Sequence, residues 1–231
     1  MKVTKYRWFF QQCDKLTRMN QSTNKEKKTF TDYLRWLFKG ILDKIGTFLN
    51  NLGIPPNVVT TAGLIGNIIA AVMIATGELF WGGIIAMVTA PFDALDGTMA
   101  RLRNESSRYG SFVDSVTDRY SEFALYSGLL VYFIITGTWQ DALLVFFAAI
   151  GSVLVSYVRA KAESLNYTSK IGLITRVERY FILIPGMILG YPRVSLWILA
   201  ILSNFTALQR IWNVRKQAKS NQEIKLRKKE M

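Results

Sequence analysis

Three long stretches of this chain carry no charged residue, and they constrain its fold more than any other feature. Residues 58–77, 123–140 and 142–158 run for 20, 18 and 17 residues without a Lys, Arg, Asp or Glu. A helix needs roughly 20 mostly apolar residues to cross the hydrocarbon core of a bilayer, and helices buried in soluble proteins are usually shorter. We therefore predict an all-α integral membrane protein with six transmembrane helices, at about 58–77, 79–100, 114–136, 139–160, 177–190 and 193–211.

The basic residues indicate how these helices are oriented. Six spans place both chain ends on one side, and the short turns around Glu78, Asp141 and Arg193 on the other. Of the 29 Lys and Arg residues, only Arg193 falls in those turns. Because basic residues accumulate in the short loops on the cytoplasmic side, we predict that both termini and both long connections are cytoplasmic.

The net charge of the chain helps to decide whether its partner is nucleic acid or a membrane surface. The chain carries a formal charge of +13 at pH 7, although 50% of its residues are hydrophobic. Positive charge alone would suit nucleic acid, but the apolar runs and the lack of a nucleic-acid-binding motif argue against it. Basic residues beside apolar helices are typical of a protein whose partner is an anionic membrane surface. We expect a multi-pass protein of the cell membrane, with membrane lipids as partners and no nucleic acid.

The region before the first span divides into two parts. Residues 1–29 are predicted to form a polar N-terminal tail, either loose or as a surface helix. Residues 30–52 repeat apolar side chains at helical spacing: Phe30, Leu34, Leu37, Phe38, Ile41, Ile45, Phe48 and Leu49. This pattern favours an amphipathic helix in the membrane interface, with a helix packed on protein as the alternative.

The remaining chain is predicted to form one membrane domain and a tail. The segment "GIPPN" at 53–57 breaks the amphipathic helix and leads into the first span. The six-helix domain covers 53–213. Residues 214–231 are basic and polar, and we expect a solvated tail that is attracted to anionic head groups.

Four aspartates lie where two predicted spans meet the cytoplasm. Asp93 and Asp96 are three residues apart on one helix, and Asp114 and Asp118 are four apart on the next, so each pair shares a face. Unpaired carboxylates at that depth are costly and repel one another. Arg101 and Arg119 could neutralise part of this charge.

A divalent cation would neutralise the rest. The chain has no histidine, so metal ligation must rely on carboxylates and other oxygen groups. Mg²⁺ characteristically binds carboxylates together with the phosphates of a substrate. From residue types alone, two alternatives stay open: an acid–base network that holds helices together, and the cation pathway of a transporter.

The spacing of these residues resembles the signature of the CDP-alcohol phosphotransferase family. Small residues separate the acids where a ligand or a facing helix must come close. The chain matches all eight signature positions at the family's spacing: Asp93, Asp96, Gly97, Ala100, Arg101, Gly110, Asp114 and Asp118. The resemblance extends over roughly residues 30–213, and it implies the six-helix architecture with its interfacial helix.

This resemblance implies a reaction at the cytoplasmic face. A hydroxyl of a small alcohol attacks the lipid-linked phosphorus of CDP-diacylglycerol, and CMP leaves. The family implies two divalent ions, Mg²⁺ or Mn²⁺, with Asp93, Asp96, Asp114 and Asp118 as metal contacts and Asp118 as the general base. It also implies a homodimer, and small residues such as Gly63 and Gly66 could serve close helix packing.

Further positions of the nucleotide pocket are implied by the same family. Gly97, Ala100, Arg101 and Gly110 shape the cytidine and phosphate pocket. The segment "PPNVVTTAG" at 55–63 resembles the start of the family's first span, where polar residues face the nucleotide. We therefore predict Asn57 and Thr60 as CDP-lipid-binding residues. Both could equally serve the helix itself, Asn57 as its N-cap and Thr60 in its first turn.

Cations at the cytoplasmic ends of the last three spans suggest the acceptor. They are Arg159, Lys161, Arg176, Arg179 and Arg210. Several cations around a polar pocket suit a phosphate dianion, and arginine can bind phosphate through two hydrogen bonds. For each cation, the alternative is that its positive charge anchors the cytoplasmic end of a span.

These segments resemble the phosphatidylinositol-phosphate synthase branch of the family, in which the acceptor is inositol phosphate. The chain reads "TRVER" at 175–179, where that branch commonly reads "ER-x-ER". The archaeal branch, which joins inositol phosphate to an ether lipid, looks similar here, and glycerol 3-phosphate is a second candidate acceptor. We predict a CDP-diacylglycerol-dependent phosphatidyltransferase acting on a small phosphorylated alcohol, with an ion-coupled transporter as the non-enzymatic alternative.

Overall fold

The computed structural model describes the backbone of residues 30–103, 105, 107–169 and 171–229, and their side chains except at 30–36 and 221–229. These residues form helices and loops, with no strand among them. The helices are α1 Phe30–Asn51, α2 Pro56–Ala75, α3 Leu79–Thr89, α4 Phe92–Leu102, α5 Arg108–Thr136, α6 Trp139–Ser164, α7 Arg176–Ile188 and α8 Pro192–Lys229. The predicted N-terminal tail, 1–29, lies outside the described residues.

The chain divides into two units, Met1–Trp36 and Leu37–Met231. The second unit contains all of the helices from α2 onward. Within it, α2 packs against α3, α4 and α5, while α6 packs against α5 and α8, and α7 against α3 and α8. The predicted candidate site residues all lie in this unit.

One face of α1 packs on the protein, and another face is exposed. Leu42 and Leu49 contact a small apolar cluster of Val59, Leu95 and Met99 on α2 and α4. The exposed face carries large apolar side chains: Leu37, Phe38, Ile41, Ile45 and Phe48. The helix therefore meets both interpretations of its sequence, because it contacts protein on one side and presents an apolar face that suits a membrane interface on another.

The main core joins α2, α3, α5, α6, α7 and α8. Its fully buried members include Ile74, Leu125, Leu129, Met187 and Leu199. Apolar residues also cover much of the outer surface, as expected where lipid rather than water surrounds a helix bundle. The core fixes how α5 and α7 are rotated relative to one another, and these two helices carry much of the site.

Glycines let α2 lie close to its neighbours. A side chain at Gly128 of α5 would clash with the backbone of Ala71 in α2, and one at Gly66 would clash with Thr89 of α3. A side chain at Gly63 would make a tight contact with Phe92 of α4, at 3.2 Å. The sequence suggested Gly63 and Gly66 for close helix packing, and both make such contacts within the chain. The homodimer stays a prediction.

The predicted second span consists of two helices, α3 and α4, separated at Ala90 and Pro91. Pro91 has no backbone N–H and cannot extend the hydrogen-bond ladder of α3. The Ala90 N–H donates to Ala86 O (3.0 Å) at the end of α3, and the Leu95 N–H donates to Pro91 O (3.0 Å) at the start of α4. The break places the first aspartate pair on a separate helix of 11 residues.

Four helical segments are long and apolar enough to cross a membrane: Pro56–Ala75, Leu79–Leu102, Trp139–Ser164 and Pro192–Ser220. The other two predicted spans correspond to α5 and α7. Helix α5 is long but carries charges in its first half, and α7 has only 13 residues. The all-α membrane class is therefore confirmed over the described residues, with four candidate spans.

The last helix is longer than the sequence suggested. The predicted span ends at 211, whereas α8 continues to Lys229 through the segment predicted as a polar tail. That segment contains no Gly or Pro and is rich in Lys, Arg, Gln and Glu, which are good helix formers. Gln217 of this extension binds Thr168 in the α6–α7 connection, donating to its carbonyl (2.7 Å) and accepting from its N–H (3.0 Å).

Arg103 connects the end of α1 to the end of α4. Its Nε donates to Asn50 Oδ1 (2.7 Å), and its Nη2 donates to the Ile54 carbonyl (2.8 Å). Asn50 Nδ2 in turn donates to the Met99 carbonyl (3.3 Å). These bonds connect the end of α1, the turn before α2 and the end of α4.

Asn50→Ala is therefore expected to lower the free energy of unfolding by about 1.5–3 kcal/mol, the range for hydrogen bonds to charged groups. The measurement is the thermal unfolding midpoint of the detergent-solubilised protein. Lys44→Ala, at an exposed position of the same helix, is the control and should change stability by no more than about 0.5 kcal/mol. Equal midpoints for Asn50→Ala and the wild type would rule out a stabilising role for this connection.

Candidate active site

The four aspartates of the signature come from α4 and α5. Asp93 and Asp96 lie in the first half of α4, and Asp114 and Asp118 lie on one face of α5, as their spacing predicts. Carboxylate oxygens of Asp93, Asp114 and Asp118 all lie within 4.8 Å of one another. The structure therefore brings three of the four predicted metal contacts into one cluster.

Asp96 is the fourth, and it turns toward α2. Thr60 Oγ1 donates a hydrogen bond to Asp96 Oδ2 and shares its proton with the Pro56 carbonyl (3.2 Å). Thr60 thus lies at the aspartates, and its contact with a CDP-linked lipid stays a prediction. Asn57 is exposed in the first turn of α2, and the N-cap of this helix is Pro55. The alternative interpretation of Asn57 as the N-cap was wrong, because the helix already starts at Pro56.

Arg176, the first residue of α7, supplies positive charge to the cluster. Its Nη1 lies 2.9 Å from Asp93 Oδ2 and also pairs with Asp118 Oδ1. Arg119 adds a longer contact, 3.5 Å from Asp118 Oδ2. Arg101, which the sequence suggested as a second compensating charge, instead donates to Thr98 Oγ1 (2.9 Å). The main compensating cation therefore comes from a helix distant in sequence.

The donor set fits a divalent cation. The Asp114 Oδ1 atom is buried and has no hydrogen-bond partner among the described residues. An unsatisfied buried carboxylate oxygen is costly, and a metal ion would satisfy it. Three clustered carboxylates are also the oxygen ligands that Mg²⁺ and Mn²⁺ prefer. Asp93, Asp114 and Asp118 are the residues that would hold such an ion.

A small cavity of about 20 Å³ adjoins the aspartates, enough for about one water-sized group. Asn67 and Ser121 line it deeper in the bundle, and both are buried. Asn67 Nδ2 donates to the Gly63 carbonyl (2.8 Å), while its Oδ1 has no partner in the described part of the chain. The sequence did not single out these two residues, because each resembles an ordinary polar residue in an apolar run.

The small residues of the signature lie at the edge of the site. Gly97 and Ala100 are half-buried on α4. A side chain at Gly97 would come near only the Arg101 guanidinium, at 3.7 Å. Gly110 lies in the first turn of α5, and its N–H donates to Ser107 Oγ (2.9 Å) at the helix N-cap. Their predicted contact with a CDP-linked lipid stays a prediction.

The five predicted acceptor cations differ in their partners and exposure, although Arg159 and Arg179 both lie close enough to Arg210 to repel it. Arg176 is at the aspartates, whereas Arg159 and Lys161 are exposed on α6, with Arg159 paired to Glu163 (2.9 Å). Arg210 is buried and donates to the carbonyls of Ile171 (3.0 Å) and Val155 (2.7 Å). It thereby holds the α6–α7 connection against α6 and α8.

Arg179 is buried beside Glu122, a residue that the sequence interpretation missed. Arg179 Nε and Nη2 donate to the two Glu122 oxygens (2.7 and 3.0 Å), and the side chains are 2% and 8% exposed. Ser152 Oγ donates to Glu122 Oε1 (2.5 Å). One signal was available, because Glu122 continues the four-residue spacing of Asp114 and Asp118 along α5.

Comparison with known proteins identifies relatives over most of the chain. A phosphatidylinositol phosphate synthase of Mycobacteroides abscessus is 35% identical over 191 residues, covering 78% of this chain and 86% of the relative. An archaetidylinositol phosphate synthase of Pyrococcus horikoshii is 33% identical over 177 residues, covering 76% and 92%. Each matched region is long enough to include the whole signature and most of the helices.

Solved structures of a related enzyme are also similar to this chain. The Mycobacterium tuberculosis phosphatidylinositol phosphate synthase with manganese and citrate gives a TM-score of 0.71 at 29% identity, covering 75% of this chain and 88% of that one. The same enzyme with CDP-DAG bound gives 0.69 at 30% identity, covering 75% and 93%. The fold is therefore shared as well as the sequence.

A sequence family described as CDP-alcohol phosphatidyltransferase matches residues 54–208. This segment covers more than half of the 231 residues and includes every signature position from Asp93 to Asp118. It also contains α2 to α7, which build the aspartate cluster and bring Arg176 to it. This chain belongs to the CDP-alcohol phosphatidyltransferase family.

Proposed function

We propose that this chain transfers the phosphatidyl group of CDP-diacylglycerol to a hydroxyl of inositol phosphate and releases CMP. The observation that carries the proposal is the convergence of Asp93, Asp114 and Asp118 beside Arg176. The family chemistry requires a metal site next to a base and a phosphate-binding group, and these residues provide each part. The carboxylates lie together near one end of α5 rather than along a path across the bundle, which favours the enzyme over a transporter.

Asp118 is proposed as the general base. The acceptor oxygen attacks the phosphorus that carries the diacylglycerol, the bond from that phosphorus to the CMP oxygen breaks, and the proton passes to Asp118. A carboxylate is a weak base, but it can accept a proton from a hydroxyl held within hydrogen-bond reach. When bound, divalent cations neutralise the pyrophosphate and stabilise charge on the departing CMP.

The remaining site residues divide between the two substrates. Asp93, Asp96 and Asp114 are proposed as metal contacts with Asp118. The proposed CDP-lipid pocket comprises Asn57, Thr60, Gly97, Ala100, Arg101 and Gly110. The proposed acceptor pocket comprises Arg159, Lys161, Arg176, Arg179 and Arg210. The buried position of Arg179 supports an indirect role more than direct contact, because Glu122 already occupies two of its donors.

The acceptor is proposed from two kinds of relative. The bacterial and archaeal relatives reported above are both named for inositol phosphate, although they differ in the lipid. Inositol phosphate is therefore favoured over glycerol 3-phosphate. The relative from Pyrococcus horikoshii favours a second candidate function, in which the lipid is an ether-linked CDP-archaeol.

The membrane arrangement is proposed to include six spans, with α5 and α7 added to the four candidates. Both termini and the aspartates face the cytoplasm in this arrangement. The distribution of Lys and Arg supports it, since only Arg193 lies in a turn on the other side. That residue is itself neutralised by Asp141, with Nε 2.6 Å from Oδ1. The domain boundaries at 30–52, 53–213 and 214–231 and the homodimer are proposed with it.

A substrate panel tests the proposed reaction. Membranes containing the protein are supplied with CDP-diacylglycerol, Mg²⁺ or Mn²⁺, and one labelled acceptor: inositol phosphate, glycerol 3-phosphate, free inositol or serine. We expect lipid labelling and CMP release with inositol phosphate at a rate at least tenfold above the others. A parallel series with CDP-archaeol distinguishes the two lipids. Faster transfer to glycerol 3-phosphate, or to an unphosphorylated acceptor, would overturn the assignment.

A further inference from the structure

Arg176 contacts two of the three carboxylates that would hold a metal ion. Its Nη1 contacts Asp93 Oδ2 at 2.9 Å and also Asp118 Oδ1. Both carboxylates belong to the three-residue cluster with Asp114. A divalent cation held by these carboxylates would lie close to the guanidinium, and the two positive charges would repel each other. Metal binding is therefore expected to weaken the pairing of Arg176 with Asp93 and Asp118.

We propose that Arg176 alternates between two partners and thereby couples metal binding to acceptor binding. It pairs with Asp93 and Asp118 when no divalent cation is bound, and it turns to the phosphate of the acceptor when a cation binds these carboxylates. The identity of that phosphate rests on the proposed function. Because energetic coupling between two sites is reciprocal, each of the two ligands strengthens binding of the other.

The neighbouring contacts confine this change to one side chain. One turn after Arg176, Arg179 is held by Glu122 through two buried hydrogen bonds of 2.7 and 3.0 Å. At the start of α7, the Thr175 N–H donates to Glu178 Oε2 (2.7 Å) and closes a capping box. The backbone of the first turn is thus fixed on both sides of the arginine.

The surroundings of Arg176 also allow a second position. Its side chain is 23% exposed, unlike that of the buried Arg179. The guanidinium carbon lies 5.4 Å from the ring centre of Tyr180, a distance at which a cation interacts favourably with an aromatic face. Arginine can bind a phosphate through two parallel hydrogen bonds. The side chain can therefore leave the carboxylates without losing all of its favourable contacts.

The test is Mn²⁺ affinity, measured on the detergent-solubilised protein by electron paramagnetic resonance of free Mn²⁺. For the wild type, saturating inositol phosphate is expected to tighten Mn²⁺ binding at least about fivefold. For Arg176→Gln without acceptor, Mn²⁺ should bind at least about fivefold more tightly than to the wild type, because the competing cation is gone. Inositol phosphate should then add little further tightening.

Two further variants complete the test. Arg215→Gln removes the same charge from α8, where Arg215 faces the Trp212 ring, and it should behave as the wild type. Arg176→Lys retains one charge with fewer donors, so it should shift Mn²⁺ affinity in the same direction by less, and it replaces Arg176→Gln if that variant does not fold. Unchanged or weaker Mn²⁺ binding by a folded Arg176 variant would overturn the proposal, and so would undiminished tightening by inositol phosphate.

The experiments distinguish failure of this coupling from failure of the proposed reaction. Transfer to inositol phosphate in the substrate panel, together with unaltered Mn²⁺ affinity in Arg176→Gln, would reject the coupling and retain the enzyme assignment. Tighter Mn²⁺ binding in that variant, without transfer to inositol phosphate, would retain the competition for the carboxylates and reject the assigned acceptor.

Discussion

Replacement of Asp118 by asparagine is expected to stop the transfer reaction, with a rate at least about 100-fold below that of the wild type. Asparagine has the same shape, but its amide cannot take the proton of the acceptor hydroxyl. It also removes one of the two carboxylates that pair with Arg176. The measurement is CMP release together with incorporation of labelled inositol phosphate into lipid.

A control variant and a binding measurement determine how this loss of activity is interpreted. Glu78→Gln makes the same chemical change at an exposed acid between α2 and α3 and should leave the rate within about twofold of the wild type. Equilibrium binding of CDP-diacylglycerol to Asp118→Asn should remain close to the wild-type value. A rate within tenfold of the wild type would remove Asp118 as the base, whereas lost CDP-lipid binding would assign it mainly to the substrate pocket.

Neutralising either partner of the Glu122–Arg179 pair is expected to cost about 3–5 kcal/mol of stability. Both side chains are buried, at 8% and 2% exposure, so Glu122→Gln leaves the arginine charge unpaired and Arg179→Gln leaves the carboxylate unpaired. The double variant should recover part of the loss, because two neutral amides can hydrogen-bond without a buried charge. Thermal unfolding midpoints of the solubilised protein measure all three.

Arg159 and Glu163 on α6 provide the matched control for this pair. They form the same kind of ion pair at 2.9 Å, but each side chain is 50% exposed. Their substitution by glutamine should change stability by no more than about 1 kcal/mol, as for other surface pairs. If the buried and exposed pairs gave equal losses, the Glu122–Arg179 bonds would not hold α5 to α7.

Local sequence patterns predicted the helices and the aspartate pairs well. Apolar runs indicate where a helix can enter lipid, and a spacing of three or four residues places Asp93 with Asp96 and Asp114 with Asp118 on one face. The energetic cost of four carboxylates beside an apolar segment also indicates that positive partners must lie close to them. These inferences need only the geometry of a single helix and the solvation of its side chains.

The contacts between helices could not be predicted in the same way. Glu122 and Arg179 are 57 residues apart, and nothing in either segment states which face of α5 meets α7. The five cations at the ends of spans looked alike, yet the packing makes one of them an aspartate partner, buries two and leaves two exposed. Rotation of one helix against another depends on the whole core, including close contacts such as that of Gly128 with Ala71.

Helix α8 holds the α6–α7 connection at two positions, Arg210 and Gln217, which lie at different depths relative to a membrane. At about 1.5 Å per residue, Arg210 lies about 27 Å along the helix from Pro192, and Gln217 lies about 37 Å along it. With Pro192 at one surface of a hydrocarbon core of about 30 Å, the Arg210 bond to Ile171 falls at the opposite boundary, and the Gln217 bonds to Thr168 fall in water or among head groups. Water competes with the second anchor far more than with the first. The Ile171 end of the connection is therefore expected to be held more firmly than its Thr168 end.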